Sequence, residues 1–393
     1  MEICEDKNVL AVHNKYLVSG GEDKSHIVEK EMFDYMGSNV YDYTIDNKKI
    51  AEIGKTKTAI RSIWSRKSYD NLNTIIREKE IDLIIVQNFF PLISPSLFYV
   101  AEKNNVPTIQ FLRNYRLLCP SADFFRNGEV CEKCLGKKFQ YPSIKHKCYK
   151  NTALGSSTIA SMNFIHKILG TWDDKVSLYI ALTEFAKKKY IEGGLPKDKI
   201  LIKPNFLYPD PGVGKHDGDY IIFVGRLSVE KGVRTLLKAW SKFKGSTNLI
   251  ILGEGPLESE VREANQIDSR IQYKGNVSTE KVFYYLKRSK FMVFTSEWYE
   301  GMPRTLIEAF ATGTPVVSSD IGSMSTMIKD GRNGIHYEPG NVNQLYRFIS
   351  DLISNDQLRR KLGFQAREDY LESFTRSANL KFYKKVFDKV FDE

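Results

Sequence analysis

The sequence lacks the features that mark membrane-spanning, secreted and nucleic-acid-binding proteins. No apolar run approaches the ~18 residues that a membrane-spanning helix needs. Residues 1–6 are acidic, whereas a secretory signal peptide starts with basic residues. No common nucleic-acid-binding motif, internal repeat or low-complexity tract is present. We therefore expect a globular protein that stays in the cytoplasm.

The charge balance of the chain is basic. It carries 58 Lys and Arg against 48 Asp and Glu, a net charge of +10 with a pI near 9.1. Such an excess predicts an anionic partner. A nucleic acid, an anionic lipid surface, or a nucleotide-sugar together with a lipid pyrophosphate would each fit. Because no nucleic-acid motif is present, we expect one of the last two.

The length and the apolar pattern predict two α/β domains. A chain of 393 residues is too long for one ordinary core, and strands alternate with helices throughout, which is typical of parallel α/β domains. The strands predicted in the first half are residues 8–13, 81–87, 106–112, 176–183 and 200–203. The predicted divisions are a domain over 1–205 with a cysteine insert at 119–148, a linker over 206–219 rich in proline and glycine, a domain over 220–373 and a helix over 374–393.

The most informative segment is residues 294–322. Glu300 and Glu308 stand eight positions apart in it. Pro303 suits the first turn of a helix, where its missing N–H costs nothing, and Gly313 suits the end of that helix. The pattern places Glu300 on the loop before the helix and Glu308 in its second turn.

The start of this helix is a predicted phosphate site. Backbone N–H groups at Thr305 and Leu306 would lack partners within the helix and would point out of its first turn. These donors and the helix dipole attract phosphate. One element thus offers a phosphate site with a carboxylate on each side.

Two further motifs, each a strand that runs into a glycine turn, lie upstream. Residues 220–227 contain one strand, with Arg226 at its end and Lys231 shortly after it, and residues 250–256 contain the other. Ligands of α/β domains bind at the carboxyl ends of strands. We therefore expect Arg226 and Lys231 to face a diphosphate; the alternative is that each is a solvated surface charge.

Together, the three motifs resemble those of the retaining glycosyltransferases of the GT-B fold, sequence-based family four, also called glycosyltransferase group 1. The resemblance runs from about Asn8 to the end of the chain. It implies an α/β protein with two Rossmann-like domains that face each other across a cleft, the first binding an acceptor and the second a nucleotide-sugar. It also implies that the helix over 374–393 crosses back to the first domain; the alternative is packing on the second.

The resemblance implies roles for individual residues. Glu300, Arg226 and Lys231 are the implied catalytic residues: the two cations contact the donor diphosphate and Glu300 contacts the transferred sugar, with no cofactor for catalysis. Glu308 is implied to hold the ribose, because a carboxylate can accept two hydroxyl hydrogen bonds. The wider implied donor-binding set is Glu308, Thr305, Leu306, Gly301, Met302, Gly20, Gly21, Gly253, Glu254 and Gly255.

The loop after the first strand matches another element of the family. Residues 19–23 resemble its Gly-Gly-Glu motif, in which Gly20 and Gly21 let the backbone approach a ligand closely. The alternative is a simple turn. No Asp-x-Asp motif of the kind that holds a metal in other glycosyltransferases is recognised.

The chain departs from the family on the acceptor side, which we assign to Arg113, Asn114 and Tyr115. Related sequences usually have a histidine where Arg113 stands. An arginine cannot act as a general base at neutral pH, although it could bind a hydroxyl or a phosphate. A retaining transfer on one face of the sugar does not need that base, because the departing phosphate oxygen can take the acceptor proton.

Four of the five cysteines lie close together in the sequence, at Cys119, Cys131, Cys134 and Cys148. In a reducing cytoplasm this spacing favours a structural zinc site over disulfides, with His146 as a further candidate ligand. The alternatives are unmetallated thiols packed in a loop, or redox chemistry. A similar insert occurs in a subset of the family.

The insert and the following segment could also contact a membrane. Residues 153–169 predict an amphipathic helix, and cationic side chains beside such a helix can dock on an anionic bilayer. The alternative is a helix buried in its own domain. The lysines concerned are Lys133, Lys137, Lys138, Lys145, Lys147 and Lys150.

These observations predict a retaining glycosyltransferase. It would move a sugar from a nucleotide-sugar to a saccharide acceptor, lipid-linked in the assembly of a bacterial surface polysaccharide such as capsule or lipopolysaccharide, at the inner face of the cytoplasmic membrane. The alternatives are a nucleotide-sugar epimerase of the same fold and a non-catalytic partner subunit. The sequence does not specify the sugar, the nucleotide or the acceptor.

Overall fold

The computed structural model describes residues 5–17 and 20–391. The backbone contacts divide the chain into two compact units. The first unit comprises Met1–Phe124, Glu132–Lys203 and Leu380–Glu393, and the second comprises Phe125–Cys131 and Pro204–Asn379.

The first half of the chain alternates strands and helices. Its strands are β1 (Asn8–Lys15), β2 (Asn39–Asp46), β3 (Leu83–Asn88), β4 (Thr108–Leu112), β5 (Phe125–Arg126), β6 (Glu129–Val130), β7 (Leu178–Ala181) and β8 (Ile200–Ile202). Its helices are α1 (Gly21–Tyr35), α2 (Lys49–Ile53), α3 (Lys55–Ile63), α4 (Arg66–Glu78), α5 (Ser96–Lys103), α6 (Tyr141–Lys145), α7 (Ala153–Ile168) and α8 (Glu184–Glu192), with a π turn at Thr171–Lys175 and a 3₁₀ turn at Lys197–Lys199.

The first unit is built on a six-stranded parallel sheet. Its strand order is β2-β1-β3-β4-β7-β8. β3 and β4 are buried at every position, as expected for strands covered by helices on both faces. The chain runs outward from β1 to β2 and then returns to the other side of β1 with β3. This reversal places a ligand-binding crevice at the carboxyl ends of β1 and β3.

The second half of the chain repeats this pattern. Its strands are β9 (Tyr220–Val224), β10 (Asn248–Leu252), β11 (Ile271–Gly275), β12 (Met292–Phe294), β13 (Val316–Ser319) and β14 (Gly334–Tyr337). Its helices are α9 (Val233–Lys242), α10 (Glu258–Ile267), α11 (Thr279–Leu286), α12 (Arg304–Ala311), α13 (Met324–Met327), α14 (Val342–Ser354), α15 (Asp356–Ser373) and α16 (Arg376–Phe391), with a 3₁₀ turn at Val229–Lys231.

The second unit also contains a six-stranded parallel sheet, in the order β11-β10-β9-β12-β13-β14. Trp240 of α9 is fully buried in the core against this sheet. The chain reverses between β9 and β12, so the carboxyl ends of these two strands flank the predicted ligand crevice. The two parallel sheets confirm the predicted α/β class.

The predicted linker is a packed part of the second unit. The Leu207 N–H donates to the Phe374 carbonyl (2.9 Å), and Arg367 binds the Asp210 carboxylate (2.6 Å). These contacts fix a segment whose proline and glycine content suggested an open connection. No helix within the described residues combines the length and the apolar character needed to cross a membrane.

The last helix, α16, returns to the first unit from Leu380 onward. Tyr383 and Phe387 of α16 pack edge-on against Phe33 of α1, with ring centroids 5.1 and 5.9 Å apart. Aromatic pairs in this geometry stabilise a contact beyond the area that they bury. The C-terminal segment is therefore part of the core of the first unit.

Candidate functional site

In the second unit, two glycine-containing loops at the carboxyl ends of β9 and β10 pack backbone to backbone. The Leu227 N–H donates to the Glu254 carbonyl (3.0 Å). Gly253 has a φ of +132°, and a Cβ atom there would lie 1.9 Å from the Gly225 carbonyl oxygen. Only glycine fits this approach, so Gly253 fixes the exposed Glu254 close to the loop that carries Arg226.

Arg226 is an exposed cation at this edge of the sheet. Among the described residues its guanidinium has no hydrogen-bond or ion-pair partner. The loop around it is nevertheless held by the Leu227 contact above and by the Ser228 N–H, which donates to the Arg226 carbonyl (3.1 Å). Arg226 therefore presents a charge on an ordered loop with donors available to a ligand.

Lys231 and Glu300, both predicted as catalytic, are in direct contact. The Lys231 Nζ lies 2.5 Å from the Glu300 Oε1, which also accepts from the Ser296 hydroxyl (2.5 Å). The same ammonium group lies 5.6 Å from the centroid of the Trp298 ring, within the range of a cation–π interaction. The sequence motifs assigned Lys231 to phosphate and Glu300 to sugar; here they neutralise each other at the end of β9.

Backbone contacts hold this pair in place. Gly232, with a φ of +65°, brings its Cα so close to the Thr295 carbonyl that a Cβ would lie 1.9 Å from it. The Thr295 hydroxyl donates to the Lys231 carbonyl (2.7 Å), and the Ser323 hydroxyl donates to the Glu300 carbonyl (2.7 Å). The Ser323 hydroxyl also reaches the Gly301 carbonyl (2.6 Å).

The helix predicted to bind phosphate is α12, and its start differs in detail from the prediction. Pro303 is the N-cap rather than the first helical residue, and no side chain caps the helix. The Leu306 N–H is not an unused donor, because it donates to the Pro303 carbonyl (3.2 Å), and the Leu306 side chain is buried in the core. Thr305 and Glu308 are half-buried on the following turns.

Met302, predicted to bind the donor, is a buried residue that fixes the loop. Its sulfur accepts from the Asn205 N–H (3.1 Å), and its carbonyl accepts from the Asn205 amide (3.3 Å). Met302 therefore ties the segment before α12 to the segment that enters the second unit. A role for the Met302 side chain in contact with a ligand is not favoured by this burial.

Within the described part of the chain, neither the backbone conformation nor close packing requires glycine at the two positions after β1. Gly20 is the N-cap of α1 with a φ of −130°, which any residue can adopt, and Gly21 is the first helical residue. A Cβ at either position would meet nothing within 4 Å. The absence of side chains here leaves room for a ligand at the N-terminus of a 15-residue helix. Ser19 of the same motif lies outside the described residues.

A group of polar residues lies near this helix start, and it includes Asn114 of the predicted acceptor side. The Glu22 carboxylate accepts from the Tyr16 hydroxyl (3.0 Å) and from the Asn114 amide (2.9 Å). Burial raises the pKa of Glu22, and Asn114, Arg116 and Tyr16 oppose the rise only in part. The Gly-Gly-Glu match could have indicated Glu22, but nothing in the sequence indicated Tyr16.

Arg113 lies in a separate ion cluster, which does not favour contact of its side chain with an acceptor, and its acceptor-side role stays a prediction. It is buried, and its Nη2 and Nε atoms lie 2.9 Å from Glu29 Oε1 and Gln87 Oε1. Lys203 also lies 2.9 Å from Glu29 Oε1, and the Tyr383 hydroxyl donates to Glu29 Oε2. Arg113 is therefore part of an internal ion cluster and has no side-chain surface for an acceptor.

The Glu29 carboxylate is ionised in this cluster. Burial alone would raise the pKa of Glu29, but the adjacent Lys203 and Arg113 cations hold it below its usual range. Burial lowers the pKa of Lys203, and Glu29 offsets part of that effect. One carboxylate thus compensates two buried cations.

Tyr115 is also buried in the core, where it packs against aromatic rings. Its ring stacks on Tyr190 (centroids 5.7 Å apart) and tilts against Phe124 (5.1 Å). Of the three predicted acceptor-side residues, only Asn114 is partly exposed.

The four cysteines of the insert are not joined by disulfides. The Cys119 sulfur lies 3.1 Å from the Ser121 hydroxyl, and burial raises the pKa of the Cys119 thiol. Among the described residues no three His, Cys, Asp or Glu side chains form a group that could hold a metal ion. The geometry does not present a ready-made zinc site, so zinc stays a prediction, which metal analysis of the purified protein can check.

Contrary to the sequence prediction, the chain contains an Asp-x-Asp sequence. Asp217-Gly218-Asp219 stands in the predicted linker. Its carboxylates face cations: Asp217 lies 3.6 Å from Arg288 and Asp219 lies 3.3 Å from Lys290. These aspartates serve as ion-pair partners within the second unit, and we assign them no catalytic role.

Residues 210–369 match the family model of the glycosyl transferases group 1. An uncharacterized glycosyltransferase of Methanocaldococcus jannaschii is 29% identical over 176 residues, which is 43% of this chain and 45% of that protein. The chain thus spans about half the length of the curated relatives it matches. These matches support the family that the three motifs predicted, whereas the subset with a four-cysteine insert stays a prediction.

Solved structures match the whole chain at low sequence identity. A glycosyltransferase from Rickettsia africae has a TM-score of 0.72 and 16% identity, over 99% of both chains. Anabaena HepE in complex with UDP-glucose has a TM-score of 0.69 and 14% identity, over 97% of this chain and 99% of that one. These likenesses confirm the predicted fold, with two Rossmann-like domains of the GT-B architecture.

Proposed function

We propose that this protein is a retaining glycosyltransferase that moves a sugar from a nucleotide-sugar to a saccharide acceptor. The observation that carries the proposal is the Lys231–Glu300 contact, with the exposed Arg226 on the adjoining loop. This contact lies at the carboxyl ends of the neighbouring strands β9 and β12, between which the order of the strands reverses. It falls within the segment that matches the family model. An α/β sheet binds its ligands at this place.

The proposed chemistry follows from the charges at this edge. Departure of a nucleoside diphosphate requires that its growing negative charge be stabilised, and fixed cations and oriented N–H groups can do this. The diphosphate would draw on Arg226, on Lys231 and on the uncapped start of α12. Glu300, released in part from Lys231, would then face the transferred sugar. The departing phosphate oxygen would take the acceptor proton, and we assign no cofactor to this step.

The donor and the setting remain parts of the proposal. UDP-glucose, which is bound in the structure of Anabaena HepE, is the first donor to test. We propose a lipid-linked saccharide as acceptor and the assembly of a bacterial surface polysaccharide as the setting, at the inner face of the cytoplasmic membrane. The acceptor would meet Asn114 and Glu22 in the first unit, at the carboxyl ends of strands β4 and β1.

The proposal is tested by donor binding to wild-type protein and to Glu308→Ala. Calorimetry with a panel of UDP-, GDP-, ADP- and dTDP-sugars should identify one class of donor. Loss of two hydrogen bonds from the ribose to a carboxylate should weaken its binding by roughly tenfold or more. Glu368→Ala, which removes an exposed glutamate of α15, is the matched control and should bind like wild type. Failure of every donor to bind would refute the proposal.

A second readout separates transfer from epimerisation. Wild-type protein with the identified donor should release nucleotide, slowly with water and faster with acceptor. Conversion of the sugar nucleotide to an isomer in the absence of any acceptor would instead identify an epimerase.

A further inference from the structure

The helices α3 and α7 of the first unit pack side by side. Their C-terminal ends are joined by a hydrogen bond from the His166 Nε2–H to the Ile63 carbonyl (2.9 Å). Trp64, which follows α3, lies edge-on to Tyr99 (5.0 Å between centroids), and Tyr99 in turn contacts His166 (6.0 Å). Trp64 is therefore held beside the last turn of α7.

Both helices expose large apolar side chains. On α7 the exposed or half-exposed positions 154, 158, 161, 165 and 168 follow the spacing of one helix face. Leu154 and Ile168 on this face are 70% and 67% exposed. Ile60 of α3 is 65% exposed, and Trp64 lies one turn further along. Ile159 and Met162 of α7 are buried in the core, whereas Leu154, Ile165 and Ile168 form a second apolar group that faces solvent, as does Ile60 of α3.

The two helices lie in the parts of the chain that are free of acidic residues. Residues 133–172 contain seven lysines and no Asp or Glu, and residues 53–69 contain five Lys and Arg and no Asp or Glu. None of those seven lysines forms an ion pair with a described residue. Lys55 and Lys57 of α3 are exposed and likewise unpaired among the described residues. The exposed apolar groups are therefore accompanied by uncompensated positive charge.

We propose that this α3–α7 face, defined by Ile60, Trp64, Leu154, Ile165 and Ile168 with the neighbouring lysines, docks on an anionic lipid bilayer. Apolar side chains would enter the boundary between headgroups and acyl chains, while lysines would reach the headgroup phosphates. The charge argues for this occupant: a protein partner with an apolar patch would not need lysine-rich segments without acidic residues, whereas an anionic bilayer attracts each cation near it.

The proposal deepens the membrane setting that accompanies the proposed function, but it does not depend on sugar transfer. It also adds α3 to the region that the sequence pattern had indicated for membrane contact. The surface belongs wholly to the first unit, and it includes none of the residues placed at the donor site.

The test is sedimentation of the full-length protein with vesicles. We expect binding to vesicles of phosphatidylcholine with phosphatidylglycerol, little binding to pure phosphatidylcholine, and a loss of binding as salt is raised. The charge variant Lys55→Gln with Lys57→Gln should weaken binding by about fivefold for each cation near the surface. The apolar variant Ile60→Ser with Ile168→Ser should weaken it at least as much. Circular dichroism should show every variant folded.

The controls are matched by exposure and lie in the second unit. Ile267→Ser removes an isoleucine of α10 that is 79% exposed, and Lys361→Gln removes an exposed lysine of α15. Both should bind vesicles like wild type. Equal binding to anionic and neutral vesicles, or equal losses in controls and α3–α7 variants, would overturn the proposal.

Two further measurements test whether a second copy of the chain, rather than lipid, covers this face, and separate the lipid proposal from the proposed function. A wild-type dimer that Ile60→Ser with Ile168→Ser separates, without any vesicle binding, would assign the face to a second copy of the chain and overturn the lipid proposal. Donor binding by calorimetry should be unchanged in all of these variants. Protein that binds vesicles but no donor would refute the proposed function alone.

Discussion

The two units use the same residue types in opposite ways. In the first unit Glu29 binds Arg113 and Lys203, and the side chains of all three are at most 2% exposed. In the second unit Glu300 binds Lys231, whose side chain is 19% exposed, while Arg226 on the adjoining loop is exposed to solvent. The charged groups of the first cluster are almost fully buried, whereas those of the second unit stay at least partly exposed near the carboxyl ends of its strands.

This contrast distinguishes charged groups that stabilise the fold from charged groups that are placed to bind a ligand. A buried ion cluster is costly to form and even more costly to break, because loss of one partner leaves an uncompensated charge in the interior. A cation at the end of a strand that stays exposed on an ordered loop contributes little to stability, and its position is better explained by a ligand. Mutations of the two clusters should therefore affect different measurements.

The largest effect is expected from Glu29→Gln. The substitution keeps the shape of the side chain but leaves Arg113 and Lys203 as two buried cations without a carboxylate. It should lower the free energy of unfolding of the first unit by about 3–5 kcal/mol, as measured by urea denaturation. Glu31→Ala, which removes an exposed glutamate of the same helix, should change it by less than about 0.5 kcal/mol. Equal stability of the two variants would show that the cluster is not a structural one.

The difference in stability between wild type and Glu29→Gln should depend on pH. Because the folded-state pKa of Glu29 is lowered, the stability it contributes is complete above the pKa of an unfolded glutamate, near 4.3. That stability is lost as the pH falls through the lower folded-state pKa. The gap between wild type and Glu29→Gln should be constant at neutral pH and should narrow at pH values below about 4. A gap that widens on acidification would contradict the assignment of an ionised Glu29.

A smaller effect, on turnover rather than on stability, is expected from Arg226→Ala. The loss of one group that stabilises charge in the transition state costs about 10²-fold in turnover, and donor affinity should change less. The measurement is nucleotide release at saturating donor. Arg234→Ala removes a surface arginine that pairs with Glu260 on the same unit and should leave turnover unchanged. Unchanged turnover and unchanged unfolding in Arg226→Ala would remove the functional half of the comparison.

Much of the fold could be predicted because it depends on local pattern. The continuous apolar runs at 81–87 and 106–112 correspond to β3 (Leu83–Asn88) and β4 (Thr108–Leu112), and each end lies within two residues of its predicted position. Both strands start later than predicted because Ile81 and Val106, although buried, precede the first residues that pair with a neighbouring strand. Pro303 was placed one position too far into α12, since its fixed φ suits the N-cap as well as the first turn.

The candidate site could be predicted where its residues belong to one sequence motif. It could not be predicted where its residues come from segments far apart in the chain. Arg226 and Lys231 lie two and seven positions after the end of the same strand, so their common location follows from the sequence. The burial of Arg113 does not, because its partner Glu29 is 84 positions away and the other members of the cluster come from the position after β8 and from α16. Nor could the motifs show that Glu22, Tyr16 and Asn114 converge, because this depends on the order of the strands in the folded sheet, where β3 lies between β1 and β4.

The smallest effect is expected from Glu22→Gln. It gives the most direct comparison with Glu29→Gln, because both residues lie on the same helix. Glu22 lies on α1 with Glu29, but its partners Tyr16 and Asn114 are neutral, and burial raises its pKa. A raised folded-state pKa means that the ionised form weakens the folded state as the pH rises through that pKa. Glu22→Gln keeps both hydrogen bonds if its amide donates to the Tyr16 oxygen. It should therefore increase the free energy of unfolding by about 0.5–1 kcal/mol at neutral pH and have no effect in acid, opposite in sign to Glu29→Gln. Loss of stability at neutral pH in Glu22→Gln would show that Arg116 compensates Glu22 as fully as Arg113 and Lys203 compensate Glu29.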